Sequence, residues 1–464
     1  MTTVQAQTLP YTMTGGDMLA QAKTGTGKTF AFLIPAIQKL ITNPGRTSQA
    51  ASATSRPVSL LVISPTRELA IQIAEDAKRL LSRFPGYKVQ IAVGGTNPKT
   101  GFRNIMAGCD ILVATPGRIL DYLGDEGGQL QAKMQGLQTF VLDEADRLMD
   151  MGFLPDIQKI VRYLPDKAST NRQGMLFSAT INQRVEQFAS IALSNGYKFI
   201  STIPKGEAQT HEHVPQRLVT VQDFSDLATA VLGALRHEMA TVGSNGLKAI
   251  IFAPTAAQVE FYSHVLALFP DLPPVSEVHS RMTQSKRTKN TDTYRKAKSG
   301  ILVATDVIAR GLDFPGVTNV FQVGLPSEKE AYIHRLGRTA RAGAEGRGTL
   351  VVTSHEAQFP RKTMSMIKFV DTPAGLDGHA SVMRIVRDMD PEKQAKVYRA
   401  WLGYYKSHLK TLNWTPAELV RQGNTFALEG LGATSVPPVE KRLVGKMGLK
   451  GVPGLNIVAT PRPA

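Results

Sequence analysis

Between residues 17 and 200, short apolar runs alternate with segments whose apolar positions recur at helical spacing. The runs at 60–63, 111–114, 140–142 and 175–177 show no polar–apolar alternation, the pattern of strands covered on both faces of a parallel sheet. Segments 68–81 and 184–192 carry the periodicity of helices that pack on such a sheet. The rhythm restarts after a polar stretch, with apolar runs at 249–252, 275–278, 301–304, 320–323 and 349–352. This predicts two parallel-sheet α/β domains in tandem, residues 1–203 and 215–370, joined by a linker at 204–214. An insertion at 43–57, rich in Ser, Thr, Ala, Gly and Pro, is expected to be a mobile surface loop. Beyond about Val370 the alternation stops. Residues 391–428 read as helices carrying Tyr398, Trp401, Tyr404, Tyr405 and Trp414, and the stretch after Gly430 reads as loosely ordered. Residues 371–464 are therefore expected to form a helical, basic C-terminal extension with a flexible tail.

Charge narrows the partners. The chain carries a formal +16, and such an excess concentrates polyanions near the surface. Nucleic acid is favoured over an anionic membrane or ribosome association, although a basic organelle average would also give this balance. Residues 391–464 hold eleven Lys and Arg against four Glu, a net +7. Those charges are expected to hold nucleic-acid phosphates, while the aromatic residues dock the extension. No run approaches the roughly 20 apolar residues of a membrane span, so no membrane insertion is expected. The start of the chain lacks the charged-then-apolar order of a secretory signal. Cys109 is the only cysteine, which excludes an intramolecular disulfide and a multi-cysteine metal site and fits a reducing compartment.

The chemistry concentrates in a few stretches. Ala22-Lys23-Thr24-Gly25-Thr26-Gly27-Lys28-Thr29 follows an apolar strand and opens a helical pattern. It begins with Ala22 where the strict phosphate-loop pattern has glycine. Gly25 and Gly27 permit positive φ and close approach of the backbone to a ligand. Consecutive N–H groups at a helix N-terminus make an anion site, where Lys28 reaches β/γ-phosphates and the Thr29 hydroxyl binds Mg2+. A glycine-rich strand–helix turn without a ligand is the competing explanation. Asp143-Glu144-Ala145-Asp146 follows another apolar run, at the strand end where α/β sheets place ligands. One acid there can hold Mg2+ and a second can activate water, although acids also favour the first turn of an ordinary helix. Farther on, His334-Arg335-Leu336-Gly337-Arg338-Thr339-Ala340-Arg341 gathers three arginines whose forks suit phosphate.

Taken in order, these and further stretches resemble the DEAD-box RNA helicases of superfamily 2, over nearly the whole chain to about residue 353. The matching stretches are Val4-Gln5, AKTGTGKT at 22–29, PTRELA at 65–70, Gly94-Gly95, TPGR at 115–118, DEAD at 143–146 and SAT at 178–180. Later come IFAPT at 251–255, QSKR at 284–287, ATDVIARGLD at 304–313 and HRLGRTARAG at 334–343. The resemblance implies two RecA-like domains, an RNA-stimulated ATPase, and ATP and Mg2+ as cofactors. It implies Gln5 as the adenine reader, residues 22–29 as the phosphate cradle, and Thr29 and Asp143 as magnesium ligands. Glu144 is then the residue that activates water. Asp146, Ser178 and Thr180, with His334, link hydrolysis to RNA work. Gly311 and Asp313 lie near the ribose, and Arg338 and Arg341 reach the γ-phosphate. Pro65, Thr66, Arg67, Gly95, Thr115, Arg118, Arg287 and Thr305 take the RNA backbone.

Two departures stand out. The family carries an adenine-stacking aromatic upstream of the glutamine, but this chain begins four residues before Gln5; a longer reading frame with a leader is expected. Ala340 replaces the commoner glycine, a small-for-small change expected to be neutral. Within the family, AKTGTGKTFAFLIP at 22–35, AIIFAPT at 249–255, YIHRLGRTARAG at 332–343 and the basic extension are similar to fungal mitochondrial members that assist group I and group II intron splicing. That likeness implies the mitochondrial matrix, structured introns as RNA partners and a role in mitochondrial translation. A monomer is expected, and the sequence names no protein partner. An ATP-gated RNA clamp with slow turnover needs the same motifs, and a DNA helicase is a third reading.

Overall fold

The computed structural model describes residues 1–23, 25–42, 56–125, 127–203, 214–243, 246–308, 312, 314–340 and 345–459. Most of the 43–57 insertion and of the 204–214 linker lies outside them. The chain divides into two compact units, Met1–Gln209 and Thr210–Ala464.

Unit one is built on seven parallel strands: β1 Met18–Gln21, β2 Leu60–Ile63, β3 Val89–Ala92, β4 Ile111–Ala114, β5 Thr139–Leu142, β6 Gln173–Ser178 and β7 Lys198–Ser201, in the order β3-β4-β2-β5-β6-β1-β7. The unbroken apolar runs have a simple cause. Side chains alternate across a strand, so Leu61 and Ile63 enter one core with Leu112 and Phe140, while Leu60 and Val62 enter the other with Ile111 and Val141. Both faces are covered, so both sets must be apolar.

Unit two repeats the plan with β8 Gln216–Val221, β9 Lys248–Phe252, β10 Val275–Val278, β11 Gly300–Ala304, β12 Asn319–Val323, β13 Arg347–Thr353 and β14 Phe369–Thr372, ordered β10-β11-β9-β12-β13-β8-β14. Two RecA-like parallel sheets in tandem are thus the architecture, as the sequence implies. The 370/371 boundary, however, falls inside β14, which pairs with β8.

The extension belongs to the core of unit two. Helix Pro391–Lys406 starts at an Asp390 cap, whose carboxylate accepts from the Glu392 and Lys393 N–H groups, with Pro391 in the first turn. Its Trp401 is fully buried, with ring centroids of Phe224 at 5.0 Å, Tyr405 at 4.4 Å and Phe426 at 5.6 Å. The stretch after Gly430 is not the loose tail expected. Leu431, Val439, Val444 and Leu449 are buried, and β15 Val439–Glu440 pairs in parallel with β16 Ile457–Val458. Its anchors are single apolar residues between glycine turns, and no periodic pattern announces them.

At the opposite end of the first sheet from the candidate chemistry, Asp17 staples three segments. Its Oδ1 accepts from Gly174 N at 2.7 Å and Lys167 Nζ at 2.8 Å, and its Oδ2 accepts from Ser194 N at 2.6 Å. Burial alone would raise this carboxyl, but the two N–H groups and Lys167 outweigh it and hold it below its ordinary value of 3.8. Asp17→Ala is expected to cost unit one about 3 kcal/mol, because two buried donors lose their acceptor. A depressed pKa contributes stability that is fully present above the unfolded value and fades as pH falls through the folded one. The gap between wild type and Asp17→Ala in urea unfolding should therefore hold from neutral pH down to about 5 and narrow below it; a gap that widens in acid would contradict the assignment.

Candidate functional site

The phosphate loop hangs from the carboxyl end of β1 and is tied sideways to β6, where Ala22 N donates to Ser178 O at 3.0 Å. Thr26 Oγ1 donates back to Lys23 O at 2.8 Å and closes the turn. Gly25 and Gly27 have φ of 75° and 90°, the region that favours glycine. A Cβ at Gly27 would lie 2.6 Å from Gln5 Nε2. Ala22 is buried and does not adopt positive φ, so alanine fits there without strain. Helix Lys28–Ile41 starts at the loop's end with no acid in its first turn, which leaves its N-terminus electropositive. Thr29 is its second residue, and Thr24 lies outside the described residues. Gln5, on helix Thr3–Thr12, is brought against this loop. Its Nε2 donates to Gly27 O at 3.2 Å and its Oε1 accepts from Thr2 N at 3.1 Å.

Facing the loop, β5 delivers two acids. Lys28 Nζ lies 3.3 Å from Glu144 Oε1 and donates to Ala22 O at 3.2 Å, with both charged side chains buried. Glu144 has φ 51° and ψ 52°, a left-handed conformation that costs a non-glycine residue about 1–2 kcal/mol. Such strain is kept where the conformation serves a function. Asp143 is 3% exposed, and its Oδ1 has no hydrogen-bond partner. Burial and the neighbouring Glu144 push its carboxyl up to about 7, against the pull of Lys28. A buried carboxylate short of positive charge suits a divalent cation. One acid and one hydroxyl are the sparse protein set that Mg2+ uses when substrate phosphates and water complete its shell, so Asp143 and Thr29 fit the ion.

The expected coupling residues form one hydrogen-bonded cluster between the ends of β5 and β6. Asp146 N donates to Ser178 Oγ at 3.3 Å, Thr180 Oγ1 donates to Asp146 Oδ2 at 3.2 Å, and Ser178 Oγ donates to Thr180 O at 2.7 Å.

The residues expected to meet RNA gather at the ends of the other strands. Pro65 and Thr66 follow β2, and Thr66 caps helix Arg67–Leu80 by accepting from Leu69 N at 3.3 Å. The Arg67 guanidinium lies so close to Gly94 and Gly95 that a Cβ at Gly95 would sit 2.2 Å from its Nη1. After β4, Thr115 leads into helix Pro116–Leu123. Arg118 there donates to Thr96 O at 3.2 Å and lies 5.6 Å over the Tyr122 ring. Strand order separates the two groups: the phosphate loop, acids and coupling cluster cap β1, β5 and β6, whereas Pro65–Arg67, Gly95 and Thr115–Arg118 cap β2, β3 and β4.

In unit two, Arg287 is buried on helix Gln284–Lys296 after β10, and Thr305 follows β11 with its Oγ1 buried and unpartnered. Helix Lys329–Leu336 carries His334 and Arg335, with Arg338 just beyond. Arg338 Nη1 donates to Leu312 O at 2.6 Å and its Nε to His334 O at 3.4 Å. Arg335 makes a fork-to-fork pair with Asp306 at 2.6 and 2.8 Å. It is a structural arginine, and Asp306 lies within the 304–313 stretch of the family resemblance without an expected role of its own. Gly311, Asp313 and Arg341 lie outside the described residues.

A parallel sheet whose first strand feeds a glycine turn and a lysine-headed helix, with a buried acid pair on the strand next but one, defines a phosphate-loop nucleotide hydrolase; the same chain carries a second parallel sheet with an arginine-bearing helix. Comparison with known proteins gives the family. Residues 2–188 match the DEAD/DEAH box helicase model and residues 230–343 the helicase conserved C-terminal domain. The chain is 43% identical over 452 residues to the ATP-dependent RNA helicase MSS116, mitochondrial, of Phaeosphaeria nodorum, covering 95% of this chain and 79% of that protein. It is 41% identical to the DEAD-box ATP-dependent RNA helicase 26 of Oryza sativa subsp. japonica, covering 99% and 82%. Among solved structures, Mss116p lacking its NTE and C-tail, bound to ssRNA and AMP-PNP, matches with TM-score 0.84 and 32% identity over 99% of this chain and 92% of that one. The chain belongs to this family and is an ATP-dependent RNA helicase of the DEAD-box type.

One expectation is revised. Ala340 has φ 52°, so its replacement of glycine is not neutral. Ala340→Gly relieves a left-handed alanine and is expected to stabilise unit two by about 1 kcal/mol, after the entropy glycine adds to the unfolded chain. A higher urea midpoint at unchanged slope would show it, and a lower midpoint would refute it.

Proposed function

We propose that this helicase remodels structured RNA in the mitochondrial matrix, aiding the splicing of group I and group II introns and mitochondrial translation. The likeness to a mitochondrial MSS116 helicase supports the compartment, the likeness to a helicase structure bound to ssRNA supports RNA as the substrate, and the +16 charge supports a polyanionic partner. The observation that carries the chemistry is the buried Lys28–Glu144 pair beside Asp143. ATP binds to residues 22–29, and its phosphates replace Glu144 as the anionic partner of Lys28. Glu144, released, orients and deprotonates the attacking water. Asp143 and Thr29 would hold Mg2+, which would supply positive charge to the phosphates. Arg338 and Arg341, from the 215–370 domain, stabilise the γ-phosphate as it leaves. Asp146, Ser178 and Thr180 pass the change to the strand ends that grip RNA. Contacts to backbone and 2′-hydroxyl read shape, so little base specificity follows.

Glu144→Gln keeps size and hydrogen bonding but removes the base. RNA-stimulated hydrolysis should fall by about 10²–10⁴ while ATP-dependent RNA binding survives; near-normal turnover would reject the role. In the wild type, equal stimulation by DNA would favour the DNA-helicase reading, and a long-lived ATP–RNA complex without multiple turnover would favour the clamp.

The extension's charge can be tested without removing its packed helices, because Lys410, Lys441, Lys446 and Lys450 are exposed. Each neutralised phosphate contributes about −0.7 to the slope of log K against log salt on single strands. Changing all four to Gln should flatten the slope of nucleotide-free RNA binding by up to about 3. An unchanged slope would leave the extension a purely structural element.

A further inference from the structure

Helix Pro391–Lys406 nears its end with two adjacent tyrosines that hold the two polar groups of one buried residue. Tyr404 Oη donates to Leu325 O at 2.6 Å. Tyr405 Oη donates to Glu356 Oε1 at 2.6 Å, and the same oxygen accepts from Leu325 N at 3.0 Å. The other oxygen, Oε2, accepts from Thr353 N at 2.9 Å and Thr353 Oγ1 at 3.1 Å. Glu356 and Leu325 are both fully buried. The N–H and the carbonyl of Leu325 are therefore both fixed from the extension, one through Glu356 and one directly. The backbone before it is shaped to fit: Gly324 has φ +72°, and a Cβ there would lie 3.0 Å from Tyr405 Oη.

Leu325 sits at a consequential point of the chain. It stands between β12 and helix Lys329–Leu336, whose later residues are His334 and Arg335 and whose continuation is Arg338. The helix is seated on the sheet by Gln322 Nε2 donating to Tyr332 O at 3.1 Å and Tyr332 Oη donating to Gln216 Oε1 at 2.8 Å. Those bonds hold its middle, and the Leu325 clamp holds its approach. Docking the extension does not require this clamp, because Trp401 and its aromatic neighbours already bury the same helix. Sinking a carboxylate for mere adhesion would be costly; burial raises the Glu356 carboxyl even with four donors around it. Where such a network serves, it serves geometry.

We propose that Tyr404, Tyr405 and Glu356 are positioning residues for ATP hydrolysis, fixing the turn from which the arginine-bearing helix starts. The extension is then part of the catalytic apparatus. This rests on reading Arg338 as a γ-phosphate residue, and the test separates the two ideas.

Full-length Tyr404→Phe, Tyr405→Phe and the double variant are compared for RNA-stimulated ATPase and urea unfolding. Tyr398→Phe serves as the control, since it loses only a 2.7 Å bond to Asn424 within the extension. Misplacement by a fraction of an ångström predicts about a tenfold fall in kcat for the double variant, with KM for ATP unchanged. Tyr398→Phe should lower stability and leave kcat alone. Combined with Arg338→Lys, the tyrosine changes should cost less than the product of the separate losses, because both act on one group. A folded double variant with normal kcat, an equal fall in Tyr398→Phe, or fully multiplicative losses would each overturn the proposal. If Arg338→Lys itself leaves kcat intact, the arginine assignment fails and takes the proposal with it; a fall there without one in the tyrosine variants sinks the proposal alone.

Discussion

One ammonium shared between two buried carboxylates is the constraint on which the first unit depends. Lys28 lies 3.3 Å from Glu144, Asp143 is next in the chain, and hardly any water reaches the three. Burying charge is tolerable only when it is paired, and a single lysine cannot neutralise two acids. The crowding of buried charge appears as an Asp143 carboxyl that burial first, and the adjacent Glu144 second, push up to about 7. It appears again in Glu144, whose left-handed backbone keeps it near the lysine at a cost in strain. A site with excess negative charge beside an electropositive helix end is balanced for a cation and a phosphate chain arriving together. Either alone would leave charge uncompensated.

The strand order decides which residues lie beside that balance. The loop, the acids and the coupling cluster sit on β1, β5 and β6, with β6 between the other two. Asp146 lies two residues beyond Glu144 and joins Thr180 and Ser178 by hydrogen bonds of 3.3 Å or less. The far half of the same sheet carries Arg67, packed against Gly94 and Gly95, and Arg118, which donates to Thr96 O. Arginines held this way present a fixed surface, which suits gripping a regular backbone better than reading bases.

Legibility followed the length scale of each signal. Strands buried on both faces were visible as unbroken apolar runs, and Ala22–Thr29 with Asp143–Glu144 was visible because phosphate chemistry needs those residue types at those spacings. Contacts between distant residues were not visible. Nothing local marks Asp306 as the partner of Arg335, since the pairing spans 29 residues and depends on β11 ending beside the arginine helix. Ala340 looked harmless because composition does not reveal φ. The 370/371 boundary marks where the alternation of apolar runs and helical segments stops, yet β14 crosses it, because edge strands are short and its exposed Val370 and Asp371 give no apolar run. The stretch after Gly430 was misread for a similar reason, with Val439 and Leu449 buried singly.

The extension shows how such misreadings bear on function. Read as docked helices followed by a flexible tail, 391–464 is a tether that carries much of its charge on a loose end. In the fold, its aromatic face shares one core with strands β8, β9, β12 and β13, so its lysines are presented by a fixed body. Orientation then becomes a property of the extension. The helix that buries Trp401 also ends at Tyr404 and Tyr405, so the extension meets unit two both in its core and at the Leu325 turn from which the arginine helix follows. Charge on its surface and geometry at its root are thereby mechanically linked, an arrangement that a flexible tail of the same composition could not provide.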